Sequence, residues 1–387
     1  MHRLISQLFV RHFDNPVLSR LEDAAEIRIP QSAIRFHRRD AEDAEKTQVL
    51  ALRSPRLCGA SSPQSAKSVG GLRIPRLALT TDSFVVQPLF FPGGDIGKLA
   101  VCGTVNDLAV KGATPRYLSA GFIISTGFPL DQLERICRSM AATARKAGVR
   151  IVTGDTKVIP AYRRDAESAE ESTENSQRAL RLGGELVHSP ELFINTSGIG
   201  FFEHRAHFGA EHIRPGDRIL INGSIGDHEA AVVLARGEFE FKGRVKSDCA
   251  SLNGLIQNLV QARVGIRMMR DPTRGGVATT LNEIAQASEL GIVIQESALP
   301  VKPAVRGVCE LLGFEPLYLA NEGKALIVIA RQDSARALAR LRRHPLGRQS
   351  VEIAEVTDQR EGVWLQTRLG TLRPVLMLEG QQLPRIC

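Results

Sequence analysis

The amino-acid sequence predicts a mixed α+β protein built in two halves, and three observations carry that reading. Strand-like apolar runs alternate with segments whose apolar residues recur at three- and four-residue spacing. Two polar, weakly patterned stretches, 31–71 and 162–185, interrupt the first half without replacing its pattern. A fresh unit then opens at "IRPGDRILINGSIGDHE" (213–229), where Pro-Gly-Asp leads into an apolar strand. With 387 residues and 43% hydrophobic content, the chain can bury two ordinary cores.

In chain order, residues 1–26 read as an amphipathic helix rather than a signal peptide, because Arg11, His12, Asp14 and Asn15 break the apolar run and no small-residue cleavage site follows. "IRIP" (27–30) and "LRIP" (72–75) flank the first polar stretch as the two sides of a hairpin might. "LALTTDSFVV" (77–86) is an apolar strand with an acidic break. "IGKLAVCGTVNDLAVKG" (96–112) has helical spacing and is ended by Gly112 and Pro115. "DQLERICRSMAATARKAG" (131–148) places Leu133, Ile136, Cys137, Met140 and Ala144 on one helical face and stops at Gly148, and "VRIVTGDTKVI" (149–159) is a strand with another polar break. In the second half, "MMRDPTRGGVATTLNEIAQASELGIVI" (268–294) predicts a loop, a helix and a strand, and "LYLANEGKALIVIA" (317–330) a strand with a polar turn inside it. After about residue 356 only short strand-like pieces and a tail are expected.

Composition excludes several classes. The six cysteines (58, 102, 137, 249, 309 and 387) contain no C-x-x-C pair, so neither a zinc site nor a disulfide framework is indicated, and the thiols read as reduced. No run approaches membrane-spanning length, and a cytoplasmic location is expected. The net charge of +8 raises the question of nucleic acid, but aromatic residues are only 5% and the arginines are spread along the chain, so the basic balance reads as solvated surface with no nucleic-acid partner.

No Walker loop occurs, which excludes P-loop nucleotide chemistry. What recurs is an acidic or amide residue interrupting an apolar segment: Asp23 in "LEDAA", Asp82 in "TTDS", Asn106 and Asp107 in "TVNDLA", and Asp155 in "TGDT". A carboxylate in an apolar element is costly unless it is paired or binds a cation. Any one of these could cap a helix or turn, but four such breaks in one half fit an oxygen-ligand Mg²⁺ site shared with phosphates. Lys98 after "PGGDIG" and the loop "DPTRGG" supply the positive side, since Gly275 and Gly276 precede a helix whose free N–H groups favour an anion. Lys157 and Glu322 sit at polar breaks, where each is a candidate for chemistry or half of a surface ion pair. His228 in "IGDHE" reads as a structural histidine.

The chain ends "LPRIC", on a thiol and an α-carboxylate of one residue. A prenyl site wants its Cys four residues from the end, which leaves an incidental thiol or a mobile tail that carries sulfur into an active site. "TTDSFVVQPLFFPGGDIGKLAVCGTVNDLAVKGATP", "GVRIVTGDTKV", "RPGDRILINGSIGDHE", "RDPTRGGVATTLNEIA", "LLGFEPLYLANEGK" and the terminal "LPRIC" together closely resemble the HypE family of nickel–iron hydrogenase maturation proteins, over almost the whole chain. That family belongs with aminoimidazole ribonucleotide synthetase and selenophosphate synthetase. The resemblance implies an N-terminal α/β domain that dimerises and binds ATP (1–210, with surface insertions at about 31–71 and 160–187), a C-terminal α+β domain (211–356), and terminal strands with a mobile tail (357–387).

It also implies a reaction: ATP-dependent loss of water from a carbamoyl group on Cys387, giving an S-cyanide whose cyano group passes to iron. ATP and Mg²⁺ are the implied cofactors. The implied partners are a second copy of the chain, a HypF-like carbamoyltransferase and an iron-holding scaffold pair like HypC and HypD. Carried over by motif, Lys98, Asn106, Asp155, Asp271, Gly275 and Gly276 attend the nucleotide, Asp23, Asp82 and Asp107 the metal, and Lys157, Glu322 and Cys387 the chemistry. The chain opens at Met1-His2-Arg3 without the His- and Gly-rich stretch usual in the family, so a non-catalytic maturation adaptor is one alternative. A selenophosphate synthetase-like phosphotransferase is the other, although Cys58 in "RLCGASS" imitates its reactive loop poorly.

Overall fold

The computed structural model of the chain describes residues 25–28, 76–160, 191–237, 241, 243–378 and 386, the first four by backbone alone. In the first half β1 (Ala25–Arg28) and β2 (Arg76–Phe84) are followed by a short ribbon of β3 (Phe90–Phe91) and β4 (Gly94–Asp95), then α1 (Ile96–Val110), β5 (Thr114–Ser125), α2 (Leu130–Ala147), β6 (Arg150–Ile159) and β7 (Leu192–Phe201). The sheet runs β1-β2-β7-β5-β6, with β5 and β6 parallel and the other pairs antiparallel. β1 and β2 pair as the hairpin reading expects, with Arg28 opposite Arg76, so the returning strand begins just beyond "LRIP".

One face of this sheet carries α1 and α2; among the described residues the other is open. Alternation decides which residues go where. Ala78, Thr80, Leu118, Ala120, Ile194 and Thr196 face the helices and are buried, whereas Leu79, Ile199 and Tyr117 form one exposed row across three strands. α1 is buried almost all round, as a helix with apolar residues on every side must be, because the second half covers its outer side. Gly103 makes the inner contact possible, since a Cβ there would lie 2.8 Å from the Phe84 ring. Asp95 caps α1 by accepting from the N–H groups of Gly97 at 2.8 Å and Lys98 at 3.0 Å. Gly148 in the left-handed region ends α2.

The second half contains β8 (Arg218–Ile221), α3 (Asp227–Ala235), α4 (Asn253–Gln261), β9 (Ile266–Arg270), α5 (Gly276–Ser288), β10 (Gly291–Gln295), α6 (Pro303–Leu312), β11 (Leu326–Ile329), α7 (Ser334–Arg342), β12 (Val351–Thr357), β13 (Val363–Gln366) and β14 (Leu372–Pro374). Its sheet order is β14-β13-β10-β12-β8-β11-β9. The strands after residue 356 are therefore built into this sheet, β13 lying parallel to β10. The central strands are buried on both faces: Ile219, Ile221, Leu326 and Val328 pack with Val277, Leu281 and Ile284 of α5, while Leu220, Ile327 and Ile329 pack with Leu255, Ile256, Ala337 and Leu341 of α4 and α7. The first-half core also takes in Val232, Val233, Cys249, Ala320 and Ile386, so the halves share apolar contacts as well as a seam. No described helix is long and apolar enough to cross a membrane.

Candidate active site

The seam is where the chemistry collects, and it begins in the first part of 317–330, where the expected strand forms only later, as β11. Between the short helical turn Pro316–Tyr318 and β11 the chain has no regular structure, yet Asn321, Glu322 and Lys324 are all buried. Buried backbone groups need partners, and here side chains supply them in place of a ladder. Glu229 accepts from the Ala320 N–H at 2.7 Å, Asn222 accepts from Ala325 N–H at 2.8 Å and donates to Gly323 O at 3.1 Å, and Asn321 accepts from Gly226 N–H at 2.8 Å. Asp248 completes the set: its carboxylate receives the N–H of Glu322 (3.2 Å), the N–H of Gly323 (3.1 Å) and the Lys324 ammonium (2.9 Å).

These contacts set the charges. Burial alone would raise the Asp248 carboxyl, but the Lys324 ammonium above all, with the Glu322 N–H, outweighs it and holds the group below the usual range. Glu322 has no such cation. Burial first, then the neighbouring carboxylates Asp271, Asp82 and Asp248, push its carboxyl well above the ordinary value. Asp82 lies at the end of β2 over Gly103; it touches solvent at the mouth of a crevice, and desolvation within that crevice raises it against the Ser83 N–H and Arg274. Cys102 of α1 and Cys249 of the 246–250 loop face one another, and the Cys102 contact together with burial drives the Cys249 thiol well up, with Glu322 adding to it and Lys98 opposing. The result is a pit in which carboxyls and the Cys249 thiol crowd together with few cations to offset their ionisation. Hard oxygen donors that resist ionisation for want of a countercharge suit Mg²⁺, which binds through one or two carboxylates plus substrate phosphates.

Next to this pit sits the end of the chain. Ile386 is buried in the first core, and its carbonyl lies 3.0 Å from His228 Nε2. A carbonyl can only accept, so Nε2 carries the proton and Nδ1 accepts from Ser247 Oγ at 2.8 Å. Ser247 Oγ in turn accepts the Cys249 N–H at 3.0 Å. Burial lowers the affinity of His228 for a second proton more than Asp248 and the Ile386 carbonyl raise it, which agrees with that neutral tautomer. The Phe91 ring meets the imidazole edge-on at 5.3 Å.

The residues expected from the sequence thus divide. Asp82 and Asp271 lie near enough to Glu322 for their charges to act on its carboxyl, and Lys98, near enough to act on Cys249, rests its Nζ on Gly93 O at 2.7 Å. Asp107 is one helical turn along α1 from Gly103 and takes a 2.8 Å bond from Thr80 Oγ1. Asn106 is spent on the seam itself: it accepts from Leu252 N–H at 2.8 Å and donates to Ala250 O at 3.1 Å and Glu322 O at 3.4 Å, which makes it a positioning residue in this arrangement. Gly276 is also put to another use. Its N–H donates to Thr273 O at 3.0 Å, and a Cβ there would come within 2.5 Å of the Leu317 and Leu319 carbonyls, so it lets α5 approach the Glu322 loop; Gly275, its N-cap, holds a left-handed turn.

Asp155 and Lys157 are elsewhere. On β6 they lie opposite Gly121 and Ile123, on the open face of the first sheet, and pair with each other at 3.0 Å with 67% and 70% of their side chains exposed. That contact with Lys157 lowers the Asp155 carboxyl. Asp23 and Cys387 lie outside the described residues. The reading of His228 in "IGDHE" as a structural histidine fits its buried, hydrogen-bonded place, whereas Cys102, Ser247, Asp248, Cys249 and Lys324 stand in stretches that carry no sequence signal of the site.

Comparison with known proteins agrees with this geometry. The AIR synthase related N-terminal domain matches residues 70–169 and the corresponding C-terminal domain residues 214–365. Carbamoyl dehydratase HypE of Bradyrhizobium diazoefficiens is 47% identical over 323 residues, 83% of this chain and 86% of that protein. A solved HypE–HypF complex superposes with a TM-score of 0.74 at 40% identity, covering 97% of this chain and 99% of the other. A HypE structure in complex with ATP gives 0.70 at 42% identity over 100% and 96%. Both domains and the identity over most of the chain are those of one family, and the chain belongs to it: the HypE carbamoyl dehydratases of hydrogenase maturation.

Proposed function

We propose that the chain dehydrates a carbamoyl group carried on its own terminal sulfur, turning an S-carboxamide on Cys387 into an S-cyanide that serves as the cyano ligand for hydrogenase iron. The observation that carries this reading is the docking of Ile386. The penultimate residue is buried and held by His228 beside the loop that bears Asp248 and Cys249, and the residue that follows it in the sequence is the terminal cysteine.

The overall change removes one water: the carbamoyl oxygen leaves and both N–H protons are lost as the C≡N bond forms. Asp82 and Asp107 would hold Mg²⁺, with Asp271 and Lys98 beside the phosphates, and bound Mg-ATP would supply activation of the carbamoyl oxygen as a phosphate leaving group and neutralisation of its charge. The chain's own residues do the rest. His228 fixes the tail through the carbonyl before the thioester-like carbon, so the amide enters the pit in one orientation. A carboxyl held to a high proton affinity, as Glu322 is, is suited to accept the amide proton. Lys324 and the N–H groups of residues 322 and 323 keep Asp248 ionised and so keep the loop in place.

Asp155 and Lys157 enter this scheme through a second copy. The open sheet face presents Leu79, Ile199, Tyr117 and Ile123, an apolar surface of the kind that marks an interface, and both charged residues lie on it. A homodimer through that face brings Lys157 of one copy to the tail amide of the other and Asp155 to its nucleotide. The carbamoyl donor is a HypF-like carbamoyltransferase, a reading supported by the solved HypE–HypF complex, and the acceptor is a HypC–HypD-like iron scaffold. To test the reaction, the full chain is incubated with the carbamoyltransferase, carbamoyl phosphate and ATP, and its C-terminal peptide is weighed. A carbamoylated Cys387 that loses one water only with ATP, and no adduct in Cys387→Ala, is expected; a tail that never gains the adduct overturns the reading, and an adduct that never loses water leaves the adaptor in its place.

A further inference from the structure

The stretch joining the two halves holds a second group of donor side chains, far in character from the acidic pit. His207, Glu211 and His212 bracket the short helical turn Ala210–His212. Nδ1 of His207 and Nε2 of His212 each lie 3.5 Å from the same oxygen, Oε1 of Glu211, and among the described residues this is the one His/Cys/Asp/Glu set whose ligand atoms all fall within 4.8 Å of one another.

The distance is informative. At 3.5 Å neither contact is a good N–H···O bond, for which about 2.7–3.2 Å is required. Ligands bound at about 2.0–2.1 Å around a tetrahedral ion stand roughly 3.4 Å apart along each edge. Each imidazole nitrogen is thus spaced from the carboxylate oxygen as two ligands of one ion are, and all three ligand atoms lie within 4.8 Å of one another.

The backbone beneath them is fixed in advance. Phe208 and Ile213 on either side are buried. Gly209 N–H donates to Arg267 O at 2.9 Å, His212 N–H to Gly209 O at 3.1 Å and Ile213 N–H to Ala210 O at 3.0 Å, while Arg214 Nη1 holds Glu211 O at 2.7 Å. The turn rests on β9 and α5, the elements that deliver Asp271 and Gly276 to the seam.

We propose that His207, Glu211 and His212 form a binding site for a divalent transition-metal ion of the Zn²⁺ class, which fixes the turn 207–212 in place. Two imidazoles and one carboxylate select Zn²⁺, Ni²⁺ or Co²⁺ over the hard Mg²⁺ that the pit suits, and the partial exposure of all three side chains leaves the remaining position to water. The site is independent of the dehydration chemistry, since none of its residues faces the pit.

The test uses the full chain, stripped with chelator and with accessible thiols alkylated so that cysteine does not compete. Zn²⁺ bound after dialysis is counted for the wild type, the His207→Ala/His212→Ala pair and Glu211→Gln, and each is melted with and without Zn²⁺. We expect one fewer Zn²⁺ in the double variant, affinity about 100-fold lower or worse, since even supporting residues cost 10–100-fold, and a Zn²⁺-dependent rise in melting temperature confined to the wild type. Co²⁺ in place of Zn²⁺ should give visible absorption in the wild type alone. Glu211→Gln, which keeps both imidazoles and the size of the side chain, guards against a misfolded double variant and should bind at intermediate strength. Equal stoichiometry and affinity in wild type and both variants overturn the site.

Discussion

The same sequence pattern, an acid set into an apolar strand, has two outcomes in this molecule. Asp82 ends in the seam, where protein on most sides raises its carboxyl and couples it to Glu322. Asp155 stands on the open sheet face, where a single lysine at 3.0 Å lowers it. The difference is one of sheet face. β2 turns Asp82 toward α1 and Gly103, and β6 turns Asp155 away from the helices with Gly121. A carboxylate on the covered face is expensive and must be repaid by a cation or by chemistry; one on the open face costs nothing until another chain covers it.

The widest separation between the two regions is expected from Glu322→Gln. The substitution keeps the size of the side chain and its hydrogen-bonding shape but cannot take up a proton, so the fold persists while dehydration of the carbamoylated tail falls by about 10²–10⁴-fold, the range for losing a general base; a wild-type rate in single turnover contradicts the assignment. Next in size, Asp82→Asn and Asp107→Ala should each weaken Mg-ATP binding about tenfold, as loss of one charge-assisted contact does, with circular dichroism unchanged. Unaltered nucleotide affinity by titration calorimetry removes these carboxylates from the metal. His228→Ala releases the tail, so alkylation of Cys387 should speed up about fivefold to tenfold for the loss of one buried hydrogen bond, with exposed Cys137 as the internal reference. No change in the ratio of the two rates means the tail is held by something else.

A smaller effect concerns pH. The folded-state affinity of His228 for a proton lies below its unfolded value, so the unfolded chain takes up a proton that the folded chain resists, and stability falls as the pH drops below about 6.5. His228→Gln should flatten that slope by up to about 1.4 kcal/mol per pH unit, read by urea unfolding at pH 7.5 and 5.5. Identical slopes in the two proteins contradict a neutral buried imidazole.

Local signals gave much of the architecture before any coordinates. The small and apolar spacing of 96–112 with its capping Asp95 and closing Gly112, and the single buried stripe of 131–148, are local facts and appear as α1 and α2. Cys137 departs from that stripe into solvent, because α2 has the sheet on one side only. The site was half legible. Asp82, Asp271 and Glu322 were found as residues, but the reading of 317–330 as a strand hid that residues 319–325 are an irregular buried loop whose backbone is satisfied by Asp248, Asn222 and Glu229, residues 70 to 105 positions away. No periodicity encodes such partners, since each is a polar residue in an unpatterned stretch. Asn106 is visible in the sequence as a polar break in an apolar helix, but its three contacts across the seam depend on the docking of the two halves, which single-segment reasoning does not see.

The central claim is that the pit of one copy and the open face of another make one active site, and subunit mixing tests it most directly. Lys157→Met and Glu322→Gln each disable every site in their own homodimers. Mixed, carbamoylated and supplied with ATP, they form heterodimers in which one of the two sites receives a native Lys157 from one copy and a native Glu322 from the other. The account predicts dehydrated tail peptide recovering to roughly a quarter of the wild-type yield on mixing, by closed two-fold symmetry. Two inactive variants that stay inactive in every mixture, with heterodimers shown to be present, would contradict it.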